Sequence, residues 1–255
     1  MTMKKSSAAG RLQGASAPYA GSAAHEVASA GVKRIALFDL DHTLIPFDSD
    51  YEWGVFTTAL GWNDAADFAS QNEAYLRHYQ AGTLDIHAYV RFATRAIRQQ
   101  GAVKSEAAHA DFMKAVVQKT LQPQAMQLVQ AHQAAGDAVV IVTATNEFVT
   151  RPIATAFCVP ELIAINLVRD PATGWFTGEI DGIPSFREGK VARVAAWLAN
   201  RQLGWDDVQS TFYSDSINDL PLLEQVTHPV ATNPDERLRA IALERGWRIL
   251  ELFKN

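Results

Sequence analysis

The sequence predicts an α/β fold: a Rossmann-like parallel sheet core with helices on both faces and an all-helical cap inserted after the first strand. Three observations carry this expectation. Short apolar runs at Arg34–Phe38, Ala138–Val142 and Thr211–Tyr213 each stop abruptly in polar residues, as buried parallel strands do. Helical patterns with readable ends lie between them, and strands alternating with helices imply a parallel sheet covered on both faces. The stretch from Asp48 to Thr120 alone breaks the alternation, with four helical patterns and no convincing strand.

Along the chain, Ser6 to Gly31 comes first, and 18 of its 26 residues are Ala, Gly or Ser. Such a stretch buries too little to offset its ordering entropy, so residues 1–31 are expected to be a disordered tail. The apolar centre that a secretory signal needs is missing from it. A core domain is expected over 32–47 and 121–255, and a helical cap over 48–120. Gly61-Trp62-Asn63, Gly82-Thr83 and Gly101-Ala102 divide the cap into its four helices. The third carries Ile86, Tyr89, Val90, Ala93 and Ile97 as one stripe. Ten of the 24 aromatic residues fall in the cap, enough for a small core of its own. Pro123 opens the next helix and Gly136 closes it; Asn233-Pro234 opens another, closed by Gly246. Glu188 to Leu203 has helical spacing, and Pro221 suits a first turn. Weaker strand candidates are Leu162–Val168, Trp175–Ile180, Val230 and Trp247–Leu252.

Composition excludes several classes. The 255 residues are 48% apolar and 20% charged, the balance of a soluble globular protein. Lys and Arg total 23 against 28 Asp and Glu, a net charge of -5, which argues against a nucleic-acid partner. No apolar run approaches the roughly 18 residues of a membrane span. One cysteine, Cys158, cannot form an internal disulfide, and in Ala156-Phe-Cys-Val it is expected to be packed. A cytoplasmic location is the expectation.

Ligands of open parallel sheets bind beyond the carboxyl ends of the strands. Three strands here end there in polar residues: Asp39 and Asp41, then Thr143, then Asp215 with Asn218 and Asp219. Four carboxylates gathered at one edge repel one another unless a cation joins them. Oxygen ligands, water and a phosphate suit Mg²⁺. An isolated Asp-x-Asp is weak, because Asp41 could equally cap the next helix. Three coordinated strand ends outweigh that reading.

Taken in order, these residues resemble the haloacid dehalogenase superfamily of phosphohydrolases. Its motifs are matched by Asp39-Leu-Asp41-His-Thr43, by Val140-Ile-Val-Thr143, by Lys190 in Arg187-Glu-Gly-Lys, and by Asp215-Ser-Ile-Asn218-Asp219. The helical insert between the first and second motifs resembles the capped branch that includes phosphoserine phosphatase and histidinol-phosphatase-like enzymes. The resemblance implies Asp39 as nucleophile, forming an aspartyl-phosphate, and Asp41 as the acid and base. It implies Mg²⁺ held by Asp39, Asp215 and the Asp41 carbonyl. Thr143 and Lys190 would hold phosphoryl oxygens, with Asn218 and Asp219 orienting waters and Lys190 behind them. Asp41 separates phosphatases from dehalogenases of the same fold, which lack it. A mutase stays open, as does a catalytically silent binding module, although Asp39, Lys190 and Asp215 all remain.

The same resemblance implies where substrate is chosen. In phosphoserine phosphatases an acidic residue after the first motif meets the amine, a position held here by Asp48. An arginine on a cap helix clamps the carboxylate, and alignment from Gly82-Thr-Leu-Asp-Ile puts Ala93 there. Arg91 and Arg95 lie about 200° away in opposite senses, so neither replaces it on that face. A small amine-bearing phosphomonoester without a carboxylate, histidinol phosphate first, is therefore expected over phosphoserine. A slip of two residues in that alignment would restore an arginine. His42 is expected to serve loop packing, and His78, His87, His109 and His132 show no metal-ligand spacing.

Overall fold

The computed structural model describes residues 33–253; the expected tail over 1–31 lies outside the described residues. In β1 (Lys33–Phe38) the last four residues are apolar and buried, as a strand covered on both faces requires. Chain order continues through α1 (Ser49–Ala59), α2 (Ala65–Ala81), α3 (Ile86–Ala93), α4 (Arg95–Gln100) and α5 (Ala102–Phe112). A π-turn, Met113–Val117, leads to α6 (Gln118–Thr120) and α7 (Pro123–Ala134). Then come β2 (Ala138–Asn146), α8 (Glu147–Ala156), β3 (Glu161–Ile165), β4 (Leu167–Arg169), β5 (Phe176–Ile180) and α9 (Glu188–Ala199). The chain closes with β6 (Val208–Ser214), α10 (Leu220–Gln225), β7 (His228–Thr232), α11 (Glu236–Arg245) and β8 (Arg248–Leu250).

Six strands form one parallel sheet in the order β3-β2-β1-β6-β7-β8. Alternate residues of β1 face opposite sides. Ile35 and Leu37 join a core with Val194 and Leu198 of α9, Leu222 of α10 and Leu238 of α11. Ala36 and Phe38 join the other, with Val129 of α7 and Ile153 of α8. No helix among the described residues is long and apolar enough to cross a membrane.

Several local expectations need correction. Leu162–Val168 is not one strand: β3 ends at Ile165, and β4 turns away to pair antiparallel with β5 outside the main sheet. The stripe from Ile86 to Ile97 is two helices, broken where the buried Thr94 turns its hydroxyl back onto the Val90 carbonyl at 2.6 Å. Asn233-Pro234 precedes α11 rather than opening it; Asp235 is the N-cap, its Oδ1 accepting from Leu238 N at 2.7 Å. The helix from Glu188 stops at Ala199, short of Leu203. Cys158 is exposed, because a left-handed turn (φ 57°) after α8 swings it outward between buried Phe157 and Val159.

The cap's aromatic residues divide into two groups: Tyr51, Phe68, Tyr75, Tyr89 and Phe92 meet one another within the cap, as expected of a small core there, whereas others face the sheet. Trp53 of α1 is 1% exposed and belongs to the same apolar cluster as Phe38 and Ile141 of the sheet. Its ring meets Phe112 of α5 at 5.5 Å, His109 at 5.3 Å and Phe148 of α8 at 5.7 Å between centroids. Trp175, beside β5, reaches back to the cap and donates from Nε1 to the Ile97 carbonyl at 2.8 Å. Aromatic residues from cap, core and hairpin thus share one interior. Trp53→Ala should therefore cost about 3–5 kcal/mol. Tryptophan fluorescence and far-UV circular dichroism should report one common, earlier unfolding transition rather than separate cap and core transitions.

Candidate active site

The chain leaves β1 towards β2 and β3 on one side, while β6, β7 and β8 lie on the other. The crevice between β1 and β6 is thus the switch point at which open α/β sheets bind ligands. Phe38 pairs with Ile141 and with Tyr213, which places Asp39, Thr143 and Asp215 within about one residue of a common level at the carboxyl edge, although β2 itself runs on to Asn146. Asp39 keeps one more sheet bond, its N–H donating to the Tyr213 carbonyl at 2.9 Å.

Asp39, Lys190, Asp215 and Asp219 are brought together there. The Lys190 ammonium, 2% exposed, donates to Asp39 Oδ1 and Asp219 Oδ2, both at 2.7 Å. Thr43 Oγ1 donates within reach of both Asp39 Oδ2 (3.2 Å) and Asp215 Oδ1 (3.1 Å), and accepts from Asp215 N at 3.0 Å. Asp219 Oδ2 also accepts from Ser214 Oγ at 2.7 Å. Burial pushes the Asp39 carboxyl up, against the pull of Lys190. Burial and the neighbouring Asp39 and Asp219 push Asp215 well up. Burial opposes the charge on Lys190, yet Asp219 and Asp39 together hold its pKa above the usual lysine range.

Asp41 is turned away from this cluster. Its Oδ1 accepts from Ser49 N at 2.8 Å and its Oδ2 from Thr145 Oγ1 at 2.8 Å. The helix-capping alternative is thus realised in part, since Ser49 is the first residue of α1. Burial first, then the Asp48 charge, pushes the Asp41 carboxyl up to about 6. Thr143, 1% exposed, accepts from Thr145 N at 3.1 Å and lines the cavity above. Asn218 and Asp219 are buried behind, off the cavity wall.

Asp39 and Asp219 share the Lys190 ammonium, and Asp215 joins them through the Thr43 hydroxyl, so carboxyl groups outnumber the positive charge at this edge. Among the described residues no three His, Cys, Asp or Glu side chains close on one point. Two carboxylates across the Thr43 hydroxyl make an incomplete oxygen set. That is a poor site for zinc and a fit for Mg²⁺, which keeps waters and shares a phosphate.

A cavity of about 840 Å³ opens over Asp39, Asp41, Thr143, Lys190 and Asp215 and runs up between α1, α2 and α3. Asp48 lines it while also capping α1, its Oδ1 accepting from Tyr51 N at 2.9 Å. Glu52, Tyr51, Tyr75, Tyr79 and Tyr89 line the cap side. Lys190 is the only lysine or arginine among the lining residues. Ala93 is not on this wall; it lines a separate cavity of about 10 Å³ inside the cap, while Ile86 and Tyr89 present the α3 face. Arg91 and Arg95 point elsewhere, to Glu179 (3.3 Å) and Asp67 (2.9 Å). His42 sits in the loop at φ 56°, its carbonyl accepting from Asn233 Nδ2 at 3.0 Å.

Residues 36–224 match the family of haloacid dehalogenase-like hydrolases. The chain belongs to that family. It is 40% identical over 220 residues to a histidinol-phosphatase of Neisseria meningitidis, covering 86% of this chain and 99% of that protein. A solved protein of unknown function from Bordetella pertussis shares 46% identity and a TM-score of 0.82, over 87% of this chain and all of that one. A phosphoserine phosphatase, solved as an analogue of its phospho-aspartyl intermediate, shares the fold at TM-score 0.61 and 15% identity, over 88% of this chain and 95% of that one. This haloacid dehalogenase-like hydrolase also uses residues that the sequence reading gave no role. Thr43 stands inside the first motif, and Thr145 lies two residues beyond Thr143 on the same strand, so that spacing could have found it. Nothing local to Tyr79 marked it.

Protons and a divalent cation would compete for Asp39 and Asp215, whose carboxyls burial pushes up, and burial raises the adjoining Asp41 and Asp219 as well. Asp41 and Asp219 sit at about 6 in the fold against an ordinary 3.8. The folded chain therefore binds protons more tightly than the unfolded one, so this stability contribution is largest at low pH and is lost as pH rises through about 6. Mg²⁺ should then raise Tm more at about pH 7.5 than at about pH 5.5. Equal shifts at the two values, by scanning calorimetry, would count against this metal site.

Proposed function

We propose that this hydrolase is a Mg²⁺-dependent phosphomonoesterase that works through an aspartyl-phosphate, with histidinol phosphate as its substrate. The observation that carries the substrate is the cavity wall: Asp48 and Glu52 on the cap side, aromatic rings around them, and no arginine. A substrate amine finds an anion there, and an imidazole finds rings to pack on. A substrate carboxylate would meet acidic residues and no bidentate clamp. The relative sharing 40% identity over nearly its whole length, a histidinol-phosphatase, supports the same reading.

In this mechanism an Asp39 oxygen attacks phosphorus and the ester P–O bond breaks, with the Asp41 proton going to the leaving alkoxide. Asp41 then takes a proton from water, which attacks the same phosphorus and releases phosphate from Asp39. A carboxyl pushed up to about 6 suits both halves near neutral pH. The Thr145 hydroxyl and Ser49 N–H hold it in place for both. Lys190 and Thr143 would hold the non-bridging oxygens, where the transition state spreads its charge. Asp219 keeps the Lys190 ammonium aimed at Asp39. Mg²⁺, held by Asp39, Asp215 and the Asp41 carbonyl, would neutralise charge on the transferred group.

Phosphate release over a panel of phosphomonoesters tests the proposal. The highest kcat/KM is expected for histidinol phosphate, and a higher value for phosphoserine would overturn the substrate assignment. Asp39→Asn should abolish turnover while leaving Tm close to wild type; residual activity within about tenfold would remove Asp39 as nucleophile. Asp48→Asn should raise KM for histidinol phosphate more than for p-nitrophenyl phosphate, which has no amine. Because Asp48 also caps α1, Tm must be followed alongside.

A further inference from the structure

The last turn of α2 reaches across the cavity to both loops that carry the polar machinery. The Tyr79 hydroxyl lies 2.9 Å from Ser216 Oγ, and the Tyr79 carbonyl accepts from Asn218 Nδ2 at 3.3 Å. Gly82, closing α2 at φ 70°, accepts at its carbonyl from Arg187 Nη1 at 3.0 Å. Ser216 and Asn218 lie within the Asp215–Asp219 loop, and Arg187 is three residues before Lys190.

From Ser216 the bonds run inward without a gap. Ser216 N donates to Ser214 Oγ at 3.2 Å, and Ser214 Oγ donates to Asp219 Oδ2 at 2.7 Å. That same oxygen accepts from Lys190 Nζ at 2.7 Å. Burial, with Asp219 and Asp215 behind it, pushes the Tyr79 phenol well up, so the hydroxyl keeps its proton. The second anchor shows strain. Arg187 is a non-glycine residue at φ 53°, ψ -124°, a conformation that persists only where the surroundings impose it. A Cβ at Gly189 would lie 2.0 Å from the Pro184 carbonyl oxygen, so this approach to Lys190 has no slack.

We propose that the last turn of α2 is a latch through which the cap sets the positions of Lys190 and of the Asp215–Asp219 loop, with Tyr79 as a positioning residue. The proposal rests on the phosphatase reading above. The cap that would bind the substrate's amine is thereby bonded to the groups that would hold its phosphoryl oxygens. Phosphoryl transfer depends on such positioning, since there is little other chemistry for the protein to do.

Tyr79→Phe keeps the ring beside Phe186 and removes the hydroxyl alone. Its kcat should fall roughly three- to tenfold, the worth of one hydrogen bond, for histidinol phosphate and p-nitrophenyl phosphate alike, with KM nearly unchanged. Ser216→Ala should lose a similar amount, and the double variant no more than either single one. A loss confined to KM for histidinol phosphate would mean that the hydroxyl meets substrate, and would overturn the latch. Additive losses would overturn it too. Amide exchange supplies a readout without turnover: in Tyr79→Phe a peptide spanning 214–220 should exchange about threefold faster or more, and an unchanged rate would sink the proposal. Should the wild type release no phosphate from any ester, the phosphatase reading fails, while the exchange result still decides the coupling.

Discussion

The site depends on keeping acidic side chains together at one strand edge, where their charges repel. Lys190 is what holds them. Its ammonium is bonded to Asp39 and Asp219 in a setting 2% exposed. A buried ion pair of this kind adds little net stability, because desolvation offsets much of the attraction. Removing the lysine would nonetheless leave three buried carboxylates facing one another. Burial first, and repulsion between neighbouring carboxylates second, keep Asp39, Asp215 and Asp219 raised even with the lysine present. On the function proposed above, stability here is given up for a place that would take both a cation and a phosphoryl group.

Much of this edge was legible in the sequence because parallel strands deliver their carboxyl ends to one side. Once three apolar runs were seen to end in Asp39, Thr143 and Asp215, the sheet itself implied their convergence. Lys190 was harder, and only motif order marked it. The hydroxyl partners were not legible for a different reason. Thr145 bonds Asp41 across 104 residues and Thr43 bonds Asp215 across 172, and threonine is common on strands. The break at Asn166 was hidden because one polar residue interrupts the apolar run, which resumes at Leu167 with no glycine or proline to mark a turn. The break at Thr94 was hidden for a related reason: the periodicity survives, and one side chain's hydrogen bond ends the helix.

The expectation of a cap with a small core of its own holds for the rings of α2 and α3 and not for Trp53. Aromatic residues were counted correctly, but a count does not say what they face. Trp53 faces Phe148 of the core as well as Phe112 of the cap. Trp175, read from sequence as a weak strand, serves as a strut that hydrogen-bonds the cap from outside the sheet.

That shared interior limits how substrate can enter. A cap swinging as one body would expose the Trp53 cluster to water, at about 25 cal/mol for each Å² of apolar surface. α2 is held differently. Of its 17 residues only Phe68 is buried, and its far end is fastened through Tyr79 and Gly82 by hydrogen bonds. Polar bonds can be exchanged for bonds to water at small net cost, whereas an opened apolar core cannot be compensated in that way. Moving the last turn of α2 alone would undo bonds to Ser216, Asn218 and Arg187 without opening the Trp53 cluster, whereas Phe68 and Tyr75 nearer its start pack on Phe92 and Tyr89 of α3. In the latch proposed above, that movement and loss of alignment would be one event, because the bonds that release the turn are the same bonds that reach the Asp215–Asp219 loop and the segment before Lys190.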